Sequence, residues 1–301
     1  MKPIRVCLVG AGPMGRLHAR KIAEMREAGE ASVLSTIVDH HEGRAEEVAA
    51  AFGGEAIADL DDAFASSDVA LIAVPTGGHA GLAERALRAG LDVLVEKPMA
   101  SDPAEAASMI EAAEAGGRIL QVGHVEWYNA AWREAATRAG TPRSIEVDRL
   151  TEPSERGLDL DVVEDLMLHD LDWVTRYVGG EVVEISAEGA CVATSKLDVA
   201  AATLRFDSGC VATLRASRVH SERRRRVRIV GERGNERADL LQPAKDARAA
   251  AKLDPLARQW SAFLSAVRKR ETPENSGSVG LAALRWVERV QEQIDVSGGE
   301  A

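Results

Sequence analysis

The sequence predicts an α/β domain with a doubly wound parallel sheet, followed by an α+β domain with a large, mostly antiparallel open sheet. In residues 1–122, short apolar runs alternate with helical stretches, which indicates a parallel sheet covered on both faces. In residues 123–301, strand-like runs alternate apolar with polar positions, which indicates an antiparallel sheet with one wet or partner-covered face. The length of 301 residues favours two domains of about 150 residues each.

Five apolar runs and the helical segments between them predict the first domain. The expected strands are residues 4–9, 33–38, 69–74, 93–95 and 119–122. The expected helices are the segment after Gly12 and residues 44–52, 79–89 and 103–115. In the first helix, four residues at helical spacing are expected on one side: Met14, His18, Ile22 and Met25.

In the second domain, residues 143–151 precede one long helical segment at residues 162–177. Strands are then expected at residues 181–192, 199–206, 211–217, 226–230 and 236–240. The turn at residues 207–209, Asp-Ser-Gly, predicts a hairpin between two of them. Two closing helices follow, and they could pack back on the first domain. Their apolar faces are formed by Leu256, Trp260, Phe263, Leu264 and Val267 and by Ala283, Trp286, Val287, Val290 and Ile294.

The composition excludes several classes of protein. Lys and Arg number 37 against 48 Asp and Glu, a net charge of −11, whereas sequence-independent nucleic-acid binding needs a cationic surface. No apolar run approaches the ~18–20 residues of a membrane span, and no signal peptide opens the chain. The three cysteines, Cys7, Cys191 and Cys210, stand in strand-like runs and are expected to be reduced packing residues. These features predict a cytoplasmic protein that acts on a small molecule.

A glycine-rich turn between the first strand and the first helix predicts dinucleotide binding by a Rossmann domain. Gly10, Gly12 and Gly15 form the pattern G-x-G-x-x-G, with Pro13 and Met14 before the third glycine. The first glycine permits the tight turn, the second lets the main chain approach a pyrophosphate, and the third lets helix and strand pack closely. The N-terminus of the helix offers N–H groups to the phosphates.

Asp39 ends the second expected strand, where a carboxylate accepts hydrogen bonds from the adenosine ribose hydroxyls. Its charge would repel the 2′-phosphate of NADP, so NAD is the predicted cofactor. NADP is not excluded, because His40, His41 and Arg44 follow at once and could offset the repulsion. A solvated loop is the alternative interpretation of the two histidines.

Two further loops follow strands, where the ligands of open α/β sheets bind. Pro75 and Thr76 follow one strand, and His79 begins the next helix. Glu96 and Lys97 follow the next strand. A lysine there can hydrogen-bond a substrate hydroxyl and stabilise the oxygen as its proton leaves. A surface ion pair between Glu96 and Lys97 is the alternative.

Asp165, His169 and Asp172 stand at positions i, i+4 and i+7 of the long expected helix, so they share one face. A carboxylate beside an imidazole fixes its tautomer and raises its basicity, which suits general acid–base chemistry near neutral pH. A metal site or an ordinary solvated stripe is the alternative.

Taken together, these segments resemble the Gfo/Idh/MocA family over nearly the whole chain. The motifs that carry the resemblance are Gly10-x-Gly12-x-x-Gly15-x-x-His18, Ala73-Val74-Pro75-Thr76 with His79, Glu96-Lys97-Pro98, and Asp165-x-x-x-His169 with Asp172. The resemblance implies pyridine-nucleotide-dependent oxidation of a secondary alcohol on a sugar or cyclitol. It implies that Lys97 and His169 are the acid–base candidates and that Asp165 positions them. It also implies a cis peptide before Pro98 and a homodimer or homotetramer formed through the open sheet.

Within the family, residues 121–126 and 165–172 resemble the branch that contains UDP-N-acetylglucosamine 3-dehydrogenases, which oxidise the 3-hydroxyl of a nucleotide sugar. Trp127 and Tyr128 stand where that branch usually has Arg-Phe, and Ala130 where it has Pro. Trp127 could stack on a base or sugar ring, or pack between the domains. The predicted substrate-binding residues are Lys97, His124, Trp127, Tyr128, Asp165 and His169. The predicted cofactor-binding residues are Gly10, Gly12, Pro13, Met14, Gly15, Asp39, His40, Pro75, Thr76, His79, Glu96 and Lys97.

Two other functions stay open at this point. One is an inositol or simple-sugar dehydrogenase, and the other is a nucleotide-sensing regulatory relative without turnover, against which the intact Lys97, Asp165 and His169 speak. No metal site is predicted, because no Cys or His cluster has the spacing of a zinc site. The arginine run at residues 223–226 could meet phosphates or a partner subunit, or form a solvated strand entry.

Overall fold

The computed structural model describes residues 2–41, 43–154, 160–242 and 254–294. The chain divides into two compact units. The first comprises Met1–His124 and Leu256–Leu281, and the second comprises Val125–Pro255 and Ala282–Ala301. The first unit is therefore built from two separate stretches of the sequence.

The first unit contains a parallel sheet of six strands, which confirms the predicted doubly wound α/β fold. Its strands are β1 (Ile4–Val9), β2 (Ser32–Val38), β3 (Glu55–Ala56), β4 (Val69–Ile72), β5 (Asp92–Val95) and β6 (Leu120–Val122). Its N-terminal helices are α1 (Pro13–Glu27), α2 (Arg44–Phe52), α3 (Leu60–Ala65), α4 (His79–Arg88) and α5 (Pro103–Gly116). The spatial order β3-β2-β1-β4-β5-β6 reverses direction between β1 and β4, the place where such sheets bind dinucleotides.

Three details of the first unit differ from the prediction. The short β3 and α3 were not predicted, because two strand residues and one and a half helical turns give almost no periodicity. A cap was nevertheless visible in the sequence: Asp59 Oδ1 accepts the N–H groups of Asp61 and Asp62 at the start of α3. Met14 is 39 % exposed, whereas His18, Ile22 and Met25, predicted on the same side of α1, are buried.

The second unit contains a sheet of six strands that is antiparallel except for one parallel pair, β7 with β10, which confirms the predicted α+β architecture. Its strands are β7 (Pro142–Leu150), β8 (Val182–Ala190), β9 (Val199–Phe206), β10 (Val211–Ser217), β11 (Arg224–Gly231) and β12 (Gly234–Asp239). Their order is β12-β11-β7-β10-β9-β8, and β9 and β10 form the predicted hairpin. Its helices include α6 (Ala130–Ala139) and α7 (Leu168–Val178).

Three predictions for the second unit need correction. The expected helix at residues 162–177 begins as a π-helical turn, Val163–Met167, and continues as α7. Helix α6 was not predicted, because its buried face is mostly alanine and gives a weak hydrophobic signal; its cap, Asn129, accepts the Ala131 N–H at 3.0 Å. Cys191 follows β8 and is exposed, so it is not a packing residue, whereas Cys7 and Cys210 are buried.

Two closing helices complete the units. Helix α8 (Pro255–Lys269) contributes Trp260, Phe263 and Leu264 to the core of the first unit. Helix α9 (Gly277–Gln291) contains the unit boundary after Leu281, and its C-terminal part packs into the core of the second unit. In the part of the chain that the structure describes, no helix is long and apolar enough to cross a membrane.

Candidate active site

The glycine-rich turn follows β1 and lies against the chain that leaves β4. Gly10 has a φ of 97°, a conformation that L side chains rarely adopt. A Cβ there would lie 2.5 Å from the Ala73 carbonyl oxygen, and a Cβ on Gly15 would overlap the Gly10 carbonyl oxygen. Glycine is required at both positions because the main chain leaves no room for a side chain.

Gly12 differs from these two glycines because it faces open space. A Cβ on Gly12 would meet nothing within 4 Å. Gly12 is also the N-cap of α1, and no side chain caps the first N–H groups of the helix. Pro13 and Met14, the first residues of the helix, are exposed. An open main chain at a helix N-terminus fits the pyrophosphate of a dinucleotide.

Asp39 follows β2, and main-chain groups hold its carboxylate. Its Oδ2 accepts the Ala11 N–H at 2.7 Å and its Oδ1 accepts the His41 N–H at 2.7 Å. His40 is exposed, with its Nδ1 3.7 Å from Asp39 Oδ1. The carboxylate therefore lies beside the glycine-rich turn. The ribose contact of Asp39 and the cofactor contact of His40 stay predictions.

The loops after β4 and β5 carry the other predicted cofactor residues. Pro75 is exposed, and Thr76 begins a 3-10 turn, Thr76–Gly78. Lys97 is half-buried, and its peptide bond to Pro98 is cis, which confirms what the resemblance implied. The contacts of these side chains with a cofactor or substrate stay predictions.

His79 connects these two loops. The ring is buried, with Nδ1 2.7 Å from the Pro98 carbonyl oxygen and Nε2 2.9 Å from the Val74 carbonyl oxygen. Burial lowers the pKa of His79, although the two carbonyls and the charge of Glu96 act in the opposite direction. The neutral ring has a single N–H, so it donates to one of the two carbonyls at a time. The sequence predicted a cofactor contact for His79 and missed this link between loops.

Glu96 is buried and lies within hydrogen-bond distance of His18, which stands 78 residues earlier in the chain. His18 Nε2 is 2.7 Å from Glu96 Oε1, and the Lys97 main-chain N–H donates to Glu96 Oε2 at 3.2 Å. Burial acts to raise the pKa of Glu96, but the hydrogen bond and charge of His18 outweigh it, so the pKa lies below its ordinary value. The alternative of a surface Glu96–Lys97 pair is therefore wrong for Glu96. The sequence signal for this pair was a histidine on the inward side of α1.

His124 is the last residue of the first unit before the chain enters the second. Its side chain is buried, and its carbonyl oxygen accepts a hydrogen bond from Asn275 Nδ2 at 2.9 Å. The main-chain N–H of His124 donates to the Val122 carbonyl at 2.8 Å. The main chain at His124 is thus anchored within its own unit, and the substrate contact predicted for it stays a prediction.

In the second unit, Asp165 lies in the π-helical turn and His169 in the first turn of α7. Both side chains are half-buried. Asp161 begins this region, because its Oδ1 accepts the N–H groups of Val163 at 2.8 Å and Glu164 at 3.0 Å. A π turn inserts a residue into the helical register and is frequent at functional sites. The acid–base roles of Asp165 and His169 stay predictions.

Asp172, which was predicted on the same helix face, is buried and pairs with Arg176 Nη1 at 3.3 Å. The guanidinium carbon of Arg176 lies 3.4 Å from the ring centroid of Trp127, and that of Arg133 lies 5.1 Å from it. Trp127 is therefore part of a cation–aromatic cluster inside the second unit. Tyr128, beside it, is 4 % exposed. The substrate contacts predicted for Trp127 and Tyr128 stay predictions.

A buried arginine that the sequence reasoning missed lies in the same unit. Arg149 on β7 is 0 % exposed and donates from Nε and Nη2 to the two carboxylate oxygens of Asp170, each at 2.7 Å. Its Nη2 also donates to Glu126 at 3.0 Å, and Trp173 Nε1 donates to Asp170 at 3.1 Å. Because Asp170 is adjacent to His169, this network fixes the first turn of α7.

The two arginines near Glu126 differ in their electrostatics. Burial acts to lower the pKa of Arg149, but the charges of Asp170 and Glu126 outweigh it and raise the pKa above its ordinary value. Arg225 lies 3.7 Å from Glu126, and burial together with the neighbouring charge of Arg149 lowers its pKa to about 10. Arg225 thus turns inward from the arginine run.

Arg226 of the arginine run lies on the outer face of the second sheet. A cavity of about 600 Å³ there is lined by five arginines and four acidic residues, so its charges nearly balance. Arg228 lies 3.4 Å from Glu146, and Arg215 lies 2.7 Å from Asp148. This pattern is typical of a salt-bridged sheet face, and it favours the solvated strand entry over a phosphate site. In the described ranges, no three His, Cys, Asp or Glu side chains are grouped so that they could hold a metal ion.

Two sequence profiles match the chain and together cover more than half of it. The profile described as "Oxidoreductase family, NAD-binding Rossmann fold" matches residues 4–124, and the profile described as "GFO/IDH/MocA C-terminal domain" matches residues 109–236.

The chain is similar to characterised relatives in sequence and in structure. It is 37 % identical to the UDP-N-acetylglucosamine 3-dehydrogenase of Acidithiobacillus ferrooxidans over 241 residues, which are 79 % of this chain and 74 % of the relative. The chain also superposes on a solved structure of that organism's UDP-N-acetylglucosamine 3-dehydrogenase, GnnA. The match covers 98 % of this chain and 98 % of the GnnA chain, with a TM-score of 0.87 and 33 % identity. The inositol 2-dehydrogenase of Rhizobium meliloti is 26 % identical over 93 % of this chain and 94 % of its own.

Proposed function

Because the chain belongs to the Gfo/Idh/MocA family of NAD-binding oxidoreductases, which act on sugar hydroxyls, we propose that its substrate is a nucleotide sugar, UDP-N-acetylglucosamine oxidised at C3. The observation that carries the proposal is the similarity to the GnnA structure, which extends over both units at 33 % identity. The matches to inositol dehydrogenases are more distant, at 26 % identity for the R. meliloti protein.

The chain's own residues fit the cofactor. Gly12 leaves room beside the N-terminus of α1 for a pyrophosphate, and Asp39 offers a carboxylate held by the main chain of the same turn. That carboxylate favours NAD, because it would repel a 2′-phosphate. When bound, NAD supplies the acceptor for the hydride that leaves the carbon bearing the hydroxyl.

The protein supplies the group that receives the proton. Oxidation breaks the O–H and C–H bonds of the carbinol and forms a C=O bond, and the hydroxyl proton passes to Lys97 Nζ or to the imidazole of His169. Asp165, four residues before His169 in the same helical segment, orients the imidazole. The half-buried side chains of Lys97 and His169 suit this role, because each keeps partial access to solvent for exchange of the proton.

The test compares nucleotide sugars with free polyols. The purified protein is incubated with NAD and with UDP-N-acetylglucosamine, N-acetylglucosamine or myo-inositol, and the absorbance of the reduced cofactor is followed. Turnover of the UDP-sugar is expected. Turnover of myo-inositol alone would replace the proposal with a cyclitol dehydrogenase. NAD binding without turnover of any compound would favour a nucleotide-sensing regulator.

The role of Lys97 is tested by Lys97→Ala. We expect a loss of at least about 100-fold in kcat, with NAD affinity retained, because general acid–base groups contribute about 10²–10⁴-fold. Lys269→Ala is the matched control, since Lys269 is exposed on α8 and its ammonium lies 3.9 Å from Glu271. Activity of Lys97→Ala equal to that of the wild type would remove Lys97 from the mechanism.

We also propose that the outer face of the second sheet forms a homodimer or homotetramer. At its centre, Thr203 on β9 and Thr213 on β10 face each other with their hydroxyl oxygens 3.5 Å apart. If this face is an interface between subunits, a charged side chain introduced at Thr203 would be buried without a partner and would weaken the association. Light scattering coupled to gel filtration is expected to show a dimer or tetramer for the wild type and a smaller species for Thr203→Arg; a wild-type monomer would contradict the proposal.

A further inference from the structure

Two buried side chains, His18 and Glu96, are hydrogen-bonded to each other next to the main chain of Lys97 in the first unit. His18 is 2 % exposed, and its Nε2 lies 2.7 Å from Glu96 Oε1. Placing a carboxylate in the interior is costly unless it is paired and its remaining lone pairs are satisfied. The other oxygen of Glu96 accepts the main-chain N–H of Lys97 at 3.2 Å. One carboxylate therefore joins helix α1 to the main chain of Lys97.

The carboxylate of Glu96 has little freedom to move. A Cβ on Gly123 would lie 2.9 Å from Glu96 Oε2 and 3.0 Å from Oε1, so the residue at position 123 can only be glycine without displacing the carboxylate. Gly123 is itself anchored, because its N–H donates to the Val95 carbonyl at 2.7 Å. The side chain of Glu96 is thus enclosed by α1 on one side and by the chain after β6 on the other.

The main chain on the other side of Lys97 is held by a second histidine. His79 Nδ1 lies 2.7 Å from the carbonyl oxygen of Pro98. The N–H of Lys97 and the carbonyl of Pro98 lie on either side of the Lys97 Cα, so two buried groups fix the main chain from which the Lys97 side chain extends.

We propose that His18 and Glu96 are positioning residues for Lys97, with the carboxylate of Glu96 as the connecting group. This inference rests on the proposed function, in which Lys97 receives the hydroxyl proton. The physical reason is that a displacement of about 1 Å in a reacting group can cost about 100-fold in rate. Because the main chain at Lys97 is held in place, the position of Nζ varies only through rotation about the bonds of the lysine side chain.

The same strand offers a matched control for Glu96. Asp92 begins β5 and Glu96 follows its end; both carboxylates are buried, with 4 % and 8 % exposed. Asp92 Oδ1 accepts the Ile119 N–H at 2.8 Å, and Arg270 Nη1 lies 2.6 Å from its Oδ2. Asp92 thus resembles Glu96 in burial, in having a cationic partner and in accepting a main-chain hydrogen bond, and it differs in lying at the opposite end of the strand from Lys97.

The experiment measures kcat, KM and NAD affinity for Glu96→Ala, Glu96→Gln and Asp92→Ala, per mole of folded protein. For Glu96→Ala we expect kcat to fall about 100-fold while KM and the NAD dissociation constant, read by fluorescence, change less than about threefold. Glu96→Gln keeps an acceptor for the Lys97 N–H but loses the negative charge, so its kcat is expected to fall about tenfold, less than in Glu96→Ala. Asp92→Ala is expected to lose stability but to keep kcat within about twofold.

A double variant separates positioning from general damage. In a Lys97→Ala background, Glu96→Ala is expected to cause no further loss of kcat, because its effect passes through Lys97. Equal losses of kcat in Glu96→Ala and Asp92→Ala, or a loss in the Lys97→Ala background as large as in the wild type, would overturn the inference. A loss of NAD affinity of more than about tenfold would overturn it as well, since Glu96 would then act on the cofactor.

Two outcomes remain distinct from these. If Glu96→Ala does not fold, Glu96→Gln and His18→Gln carry the test, each with an expected loss in kcat of about tenfold, and a wild-type kcat in both would reject the positioning role. Failure of the proposed function is recognised separately. It would appear as a wild type that oxidises none of the sugars, or as a fully active Lys97→Ala, and both of these proteins keep Glu96 unchanged.

Discussion

Each unit of the molecule buries carboxylates next to a candidate acid–base residue, but the two units pair them with different basic side chains. In the first unit, one carboxylate, Glu96, is paired with a histidine and with a main-chain N–H. In the second unit, two carboxylates, Glu126 and Asp170, share the guanidinium of Arg149. The guanidinium of Arg149 donates hydrogen bonds to both carboxylates, whereas the His18 ring lies 2.7 Å from one oxygen of a single carboxylate.

This difference indicates two different uses of buried charge. The Arg149 network joins a strand, a helix and the 3-10 turn Val125–Tyr128, so it acts as a permanent connection within the second unit. The His18–Glu96 pair joins one helix to one peptide group, so it acts locally at Lys97. We therefore expect loss of the first to appear in stability and loss of the second mainly in turnover.

The largest expected effect is that of Arg149→Met. It leaves Asp170 and Glu126 buried without their shared cation, and breaking a buried ion pair costs about 3–5 kcal/mol. Urea unfolding followed by tryptophan fluorescence measures this loss, because four of the five tryptophans, Trp127, Trp132, Trp173 and Trp286, belong to the second unit. The control is Arg233→Met in the turn between β11 and β12, whose partner Glu232 lies at 4.0 Å and whose loss costs less than about 1 kcal/mol. Equal losses in the two variants would contradict a structural role for the network.

A smaller effect, dependent on pH, is expected for Glu96→Gln. The pKa of Glu96 is lowered on folding, so its ionised form stabilises the protein above about pH 4.5, and this contribution is lost as the pH falls through the lowered pKa. At pH 7 the variant is expected to be about 1–3 kcal/mol less stable than the wild type. The difference should shrink below about pH 4.5, as measured by urea unfolding at a series of pH values.

The control for this series is Glu24→Gln, which removes the charge of an exposed carboxylate on α1 that pairs with Lys21 and Arg20. Its effect on the free energy of unfolding is expected to stay below about 1 kcal/mol at every pH. If the difference between Glu96→Gln and the wild type persisted undiminished to about pH 3, the stabilisation would not come from the ionised carboxylate.

The smallest effect is expected for Arg225→Met. This variant tests whether Arg225 contributes less to stability than Arg149, the other arginine near Glu126. Because burial and Arg149 lower the pKa of Arg225 to about 10, its charge is disfavoured in the folded state. Its replacement is therefore expected to lower the free energy of unfolding by less than about 1 kcal/mol, or to raise it. Arg233→Met, at an exposed position of the turn between β11 and β12, is again the control. A loss comparable to that of Arg149→Met would mean that Arg225 is an equal member of the network.

The fold was predictable because it rests on local patterns. Mostly apolar strands such as β1 and β4 indicate a parallel sheet, and Gly10 and Gly15 marked the turn that has no room for side chains. The elements that were missed lack such patterns. Helix α6 buries alanines, which contribute little to a hydrophobic period, and the π-helical turn departs from the 3.6-residue register on which helix prediction depends.

The buried charges were harder to predict because their partners are distant in sequence. Glu96 and His18 are 78 residues apart, and no local pattern pairs them. For Arg149 a signal did exist: strand alternation places it on the same inward side as Ile145 and Val147, both buried. A charged residue at an inward position of a strand predicts a buried partner, even when the sequence does not identify which acid it is.

The first unit is built from two separate stretches of the chain, and this affects how it folds during synthesis on the ribosome. Domains generally fold as units, N-terminal first, while translation continues. Here, Trp260, Phe263 and Leu264 of α8 belong to the core of the first unit but are made after the strands of the second. The nascent nucleotide-binding unit therefore keeps an incomplete core until Leu256–Leu281 has emerged, whereas the second unit awaits only part of α9. Dependence on chaperones during translation should accordingly be concentrated in the N-terminal half.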